Sequence, residues 1–215
     1  MHLTPEKAEI VGALLGDKIR FGFFKRYGNW TKSKRPRGML EICLGSNGQW
    51  GKHLSDLAFR AYGLRGSNYL LQKPWPRQPE WRFSISSPRV VKDLLPYFDP
   101  MWRAGTWRIV PAIFEAPKAS ICSLLRGYMD ADGFVHKSPT RGVRVESVNE
   151  NGINDVLGLF AKLGIRARIY RRKSRNVWTL QISRRQNISR YRELVGFSLP
   201  HKSTALDTVW QHYTK

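Results

Sequence analysis

The sequence predicts an α+β fold built from two pseudo-symmetric αββαββα repeats, and three observations lead there. A segment that reads as a helix ending in an acid occurs twice. The same succession of strand-like and helical segments follows each copy. The tails of the two halves then align again, and such self-similarity fixes architecture before local detail does.

The first copy, IVGALLGDK (residues 10–18), lies over LRGYMDADG (residues 125–133), so that Gly12 meets Gly127, Gly16 meets Ala131 and Asp17 meets Asp132. Thr4 and Pro5 offer an N-cap and a first-turn proline ahead of the first helix, and Pro117 opens the second. After the first helix, IRFGFF and MLEICLG flank the polar turn KSKRPRG and read as a hairpin. GKHLSDLAFRAYG is a helix with a glycine stop, NYLLQ and WRFSIS form a second hairpin around PWPRQP, and SPRVVKDLLPYF is a helix capped by Ser87. The second half repeats that order: FVHKS, the turn PTRG, VRVESV, the helix GINDVLGLFAKLG, the strands IRARIYRR and VWTLQIS, and the helix NISRYRELVG. The tails align with Phe98 on Phe197 and Arg103 on Lys202. The expected organisation is therefore one repeat over 1–98, a linker over 99–116 and a second repeat over 117–215.

In LLRGYMDADGFV two acids stand at the end of an apolar helix, in a chain where 37 Lys and Arg face 16 Asp and Glu. A helix C-terminus carries about half a unit of partial negative charge and disfavours an acid by roughly 0.3–1 kcal/mol. The glycine pairs suggest the reason. Gly12 and Gly16, like Gly127 and Ala131, are four residues apart, share one helix face and admit another backbone very closely. If the two faces pack on each other, Asp17 approaches Asp132, and a cation between the carboxylates offsets their repulsion. Mg²⁺ suits one or two carboxylates with carbonyl, water and phosphate oxygens.

The formal charge of +21 on 215 residues favours a polyanionic partner, nucleic acid first. No apolar run of about 18 residues is present to span a bilayer, and MHLTPEKAEI lacks the regions of a signal peptide. The expectation is a soluble, intracellular protein, in the cytoplasm of a prokaryote or in an organelle. With 41% hydrophobic residues the chain can bury a core. Cys43 and Cys122 have no metal-ligand spacing and read as two buried thiols.

Strand alternation puts Arg166, Arg168, Tyr170 and Arg172 on one side of IRARIYRR, and Lys18, Arg20 and Lys25 or Arg26 on the corresponding surface of the first half. A β-ribbon fits the major groove, where Arg and Lys meet guanine edges and Gln or Asn meet adenine. Lys34, Arg35, Arg37, Lys73, Arg77 and Arg82 in the first half, and Lys137, Arg141, Arg144 and Gln181 in the second, complete the candidate DNA-binding set.

The two motif copies and the repeated element order resemble the LAGLIDADG homing endonucleases of the single-chain, two-motif kind. The resemblance implies two antiparallel sheets forming a DNA-binding saddle, with the motif helices at the interface. It further implies a monomeric, intron-encoded or similarly mobile nuclease that hydrolyses both strands of a long, asymmetric DNA target. Carried over by position, Asp17 and Asp132 would bind divalent metal, with the carbonyls of Gly16 and Ala131 as further ligands. The cofactor would be Mg²⁺, with Mn²⁺ able to substitute, and two-metal catalysis the logic. Arg103 and Lys202 would supply the cations that the family places beside each acid.

Two features depart from that pattern. Lys18 stands where the motif has glycine. Ser46, Asn47, Asn149 and Glu150 occupy the strand ends, where the family often has a basic or polar active-site residue. The alternative is a binding protein, an intron-RNA splicing cofactor (maturase) with weak or lost cleavage; retention of both acids favours cleavage.

Overall fold

The computed structural model describes residues 3–24, 37–74, 78–99, 105–136, 138, 140 and 142–214. The chain forms two compact units, Met1–Gly16 with Tyr97–Lys215, and Asp17–Pro96. Lys25, Arg26, Lys34, Arg35, Arg77, Arg103, Lys137 and Arg141 lie outside the described residues.

Helix α1 (Pro5–Asp17) starts at Thr4, whose hydroxyl accepts from the Lys7 N–H at 3.4 Å. The smaller unit continues with β1 (Lys18–Phe24), β2 (Arg37–Gly45), α2 (Gly48–Tyr62), β3 (Ser67–Leu71), β4 (Glu80–Ser86) and α3 (Pro88–Leu94). Its sheet is antiparallel in the order β1-β2-β4-β3. The larger unit holds α4 (Pro111–Phe114), α5 (Lys118–Ala131), β5 (Gly133–Val135), β6 (Val143–Ser147), α6 (Glu150–Lys162), β7 (Ala167–Arg172), β8 (Val177–Ile182), α7 (Arg185–Leu194) and α8 (Pro200–Thr214). Its sheet repeats the pattern as β5-β6-β8-β7. The fold is thus α+β with two four-stranded antiparallel sheets and the expected repeat of element order. Two helices come in addition, the single turn α4 and the fifteen-residue α8.

Alternation decides which face of each sheet is dry. In the larger unit Val143, Val145, Leu180 and Ile182 are fully buried, whereas Arg144, Glu146, Thr179 and Gln181 take the opposite face. In the smaller unit Leu40, Ile42, Phe83 and Ile85 form the apolar side. Residues 105–116 pack as part of the larger unit: Trp107, Ile109 and Ile113 are buried, and the Trp107 ring sits edge-on to Tyr128 at 5.8 Å. Asn149 ties that segment down by donating to the Trp107 carbonyl at 2.6 Å.

The packing of α1 on α5 carries the motif. A Cβ on Gly12 would lie 1.9 Å from the Leu124 carbonyl oxygen, and one on Gly127 would lie 2.1 Å from that of Glu9. Backbone therefore meets backbone, with no side chain between. One turn on, a Cβ at Gly16 would fall 2.4 Å from that of Ala131, so both small-residue pairs of the motif line the crossing. Glu9, buried on α1, accepts from Arg126 of α5 at 3.4 Å, and Arg126 also donates to the Val195 carbonyl at 2.7 Å.

Substituting Gly12→Ala should destabilise the protein by about 3 kcal/mol, because a backbone clash cannot be relieved by changing a rotamer. Gly105→Ala, in open space, should leave stability unchanged. Urea denaturation of both variants checks this, and equal midpoints would contradict the close approach.

Candidate nucleic-acid interface and helix-end acids

The polar face of the β5–β8 sheet forms a cleft of about 720 Å³. Arg144, Arg168, Tyr170, Arg172, Arg175 and Gln181 line it, together with Phe134, His136, Thr140 and Glu146. Its organising group is the Gln181 amide, 2% exposed. The Gln181 carbonyl accepts from Arg144 at 2.8 Å, from Arg168 at 3.2 Å and from the Tyr170 hydroxyl at 3.4 Å. Both guanidinium groups also lie over the Tyr170 ring, at 6.0 and 5.5 Å from its centroid. Arg172 pairs with Glu146 at 2.5 Å, and Arg175 approaches the same carboxylate at 3.9 Å. Arg166 and Arg168 share a smaller adjoining hollow with Asn187. The structure thus brings Arg144, Arg166, Arg168, Tyr170, Arg172 and Gln181 to one surface. Arg175 and His136 belong to it too; the sequence offered no periodic signal for them, because one sits in a turn and the other just past a short strand.

The corresponding face of the smaller unit differs. Glu41, 4% exposed, accepts from the Tyr69 hydroxyl and from Arg82 at 3.2 Å, and pairs with Arg20 at 3.5 Å. Glu80 accepts from Lys73 and, at 2.7 Å, from Arg82. Hydrogen bonds from Lys73 first and Arg82 second hold the Glu80 carboxyl down at about 2. Burial pushes the Cys43 thiol up, and the nearby Glu80 and Asp17 carboxylates add to that. Arg20, Lys73 and Arg82 are therefore cations engaged by acids of their own sheet. Arg37 is exposed at the start of β2, and Lys18 opens β1.

The two acids ending α5 have separate surroundings. Asp132 is exposed and caps the helix, its N–H donating to the Tyr128 carbonyl at 3.0 Å. Asp130 is buried at 2% exposure and accepts from the Ser198 N–H at 3.0 Å, the Ser198 hydroxyl at 2.5 Å and the Leu199 N–H at 3.4 Å. Burial raises its pKa, against the lowering effect of those donors. Lys202, in the first turn of α8, donates to the carbonyls of Asp130 at 2.6 Å and Met129 at 3.2 Å. In the smaller unit, Asp17 is the partly buried last residue of α1. Among the described residues no group of three or more His, Cys, Asp or Glu side chains is gathered as a metal cage. A site made of a helix-end carboxylate, backbone carbonyls, water and phosphate oxygens instead fits a hard oxygen-seeking cation.

The strand-end asparagines are helix caps. Asn47 accepts from the Gln49 N–H at 3.1 Å and Asn149 from the Gly152 N–H at 3.1 Å. Glu150 is the exposed first residue of α6.

Residues 120–196 match the LAGLIDADG-like domain. The match covers the second motif helix α5 and the β5–β8 sheet, and the first repeat has a helix and a four-stranded antiparallel sheet of like order. The fold of the chain is that of the homing endonuclease I-DmoI. The I-DmoI complex with DNA and Mn is similar at a TM-score of 0.62 and 17% identity, over 90% of this chain and 97% of that one. The homing endonuclease I-WcaI, bound to its DNA recognition sequence, gives 0.61 at 14% identity, over 96% and 88%. Among curated proteins, the probable translation initiation factor IF-2 of Thermococcus kodakarensis is 35% identical over 105 residues, 49% of this chain and 9% of that protein. The chain spans about a tenth of the length of such relatives.

Because the Glu80 pKa is depressed from 4.5 to about 2 by Lys73 and Arg82, its pairing stabilises the smaller unit above pH 4.5. That contribution is lost as pH falls from 4.5 through 2. Thermal melts across this range should show a fall in wild type that is flattened in Glu80→Gln; parallel pH profiles would exclude Glu80 as its source.

Proposed function

We propose that the protein is a site-specific double-strand DNA endonuclease requiring a divalent metal, with Mg²⁺ as its cofactor and Mn²⁺ as a substitute. The observation that carries this reading is an acid ending each of two helices that bear the LAGLIDADG small-residue face. The family and fold support it, since solved structures of like fold hold DNA and metal.

Asp17 and Asp132 are the proposed metal-holding carboxylates, with the carbonyls of Gly16 and Ala131 as further oxygen donors. When bound, the metal would lower the pKa of the attacking water and stabilise the leaving oxygen. The residues of the chain do the rest. Lys202, and Arg103 by its place in the repeat, set positive charge near the transferring phosphoryl group. Both sheets position the duplex: Arg168, held by the buried Gln181 amide, presents its guanidinium to base edges, while exposed cations such as Arg166 and Arg37 meet phosphates. The proposed target is long and asymmetric, bound by one copy of the chain.

The experiment incubates the protein with a duplex spanning the insertion site of its gene, in Mg²⁺ and separately in Ca²⁺. Cutting in Mg²⁺ with binding alone in Ca²⁺ is expected. Binding without cutting in either metal would replace the nuclease by an RNA-splicing role.

Asp132→Asn should abolish double-strand cleavage and leave DNA affinity within about threefold, since it removes a metal ligand rather than a major phosphate contact. Gel-shift and cleavage assays on the same preparation separate the two, and full cleavage by the variant would remove Asp132 from the site. Arg168→Ala should cost about 1–3 kcal/mol of affinity at one base position. Competition against targets varied one base at a time checks it; a uniform loss over all sequences would make Arg168 a phosphate contact.

A further inference from the structure

The motif LRGYMDADG carries two acids, and the metal reading uses only Asp132. We propose that Asp130 is a positioning residue: it holds the first turn of α8 on the end of α5, and so keeps the Lys202 ammonium at the helix end that Asp132 caps. The inference rests on the endonuclease reading for what Lys202 does, but not for where it is held.

The geometry is a reciprocal clamp between two helix ends. The first N–H groups of a helix and the last carbonyls of another are left without partners inside their own helices. Asp130 accepts from the Ser198 and Leu199 N–H groups directly ahead of α8, where a carboxylate also meets the positive end of the helix dipole. Lys202 returns from that same turn and donates to the Met129 and Asp130 carbonyls, the negative end of α5. Each helix thus supplies the charge that the other's terminus favours. Asp130 itself is 2% exposed and so is shielded from solvent and from any substrate on the surface. Its influence on chemistry has to pass through Lys202.

The repeat sharpens the inference. The position equivalent to Asp130 in α1 is Leu15, 115 residues earlier, which is buried and has no acceptor in its side chain. The carboxylate clamp is therefore specific to the second repeat. If each half of the molecule serves one DNA strand, loss of Asp130 should slow hydrolysis of one strand only, and nicked DNA should accumulate.

The test uses the full chain and an insertion-site duplex with each strand labelled separately. Asp130→Asn keeps an acceptor that still caps a helix, so the variant should fold; Asp130→Leu copies the first repeat. Lys202→Met should slow cleavage of one strand by about 100-fold, the scale for losing one charge-stabilising donor. Asp130→Asn should slow the same strand by about tenfold, and by less than about twofold when Lys202→Met is already present, because two residues acting as one unit are not additive. An equal fall on both strands, or the same tenfold fall in the Lys202→Met background, would overturn the proposal. A second readout needs no cleavage: reductive methylation of the uncut protein, followed by mass spectrometry. Lys202 should become severalfold more reactive in both Asp130 variants, while Lys162, held by the Phe114 carbonyl, stays constant. Unchanged Lys202 reactivity would overturn the clamp. A wild-type protein that cuts neither strand would overturn the endonuclease reading, and Lys202 reactivity would then decide the clamp alone.

Discussion

The contact on which the larger unit depends is that of two helix backbones, α1 and α5, meeting at Gly12 and Gly127. No side chain fits between them, so the crossing point is set by main-chain atoms whose positions are fixed by the helices themselves. A crossing defined by side chains could shift by a rotamer. This one cannot. Gly16 consequently lies level with Ala131, and the register of one helix end against the other is determined to within a fraction of a turn. A motif that must place a carboxylate at a defined spot gains from such a hinge-free junction, which explains why small residues four apart precede the acid in both copies.

The same junction concentrates negative charge where the dipole of α5 already disfavours it. The structure deals with the two acids in opposite ways. Asp130 turns inward and finds the N-terminus of α8, so its charge becomes favourable and helps seat a helix. Asp132 caps the helix and is exposed, with its carboxyl carbon 3.3 Å from where a Cβ on Gly16 would lie. One acid is buried against α8, the other exposed at the crossing with α1, and two steps of about 100° along a helix suffice to part them.

The repeat order, strands and paired glycines were legible because they rest on local periodicity and on comparison of the chain with itself. Boundaries shifted where a side chain intervened: Asn47 and Asn149 start α2 and α6 three and two residues earlier than the glycines that looked like their starts. Helix α8 was hidden differently. Its start signal is the single first-turn proline Pro200, its apolar face is weak, and the stretch read as a tail aligned to another tail. The role of Asp130 could not be read from the sequence at all, since its partners lie 68 and 69 residues away. Nor could the engagement of Arg20 and Arg82 by Glu41, because alternation tells which residues share a face but not which of them neutralise one another.

That last difference bears on what the two sheets can read. By register, Glu41 and Ser84 of one sheet stand where Arg144 and Gln181 stand in the other, while Tyr69 and Tyr170 occupy like places. In one sheet a tyrosine hydroxyl and two arginines converge on a carboxylate; in the other, a tyrosine and two arginines converge on a neutral amide. The amide holds Arg144 and Arg168 through single hydrogen bonds and brings no charge of its own, whereas the carboxylates offset that of Arg20, Arg82 and Lys73. Under the endonuclease reading, the β5–β8 face is therefore suited to electron-rich guanine edges and the described β1–β4 face to mixed donors and acceptors. Two repeats with one backbone plan would then distinguish the halves of a target by exchanging a few polar side chains, with no change in the frame that presents them.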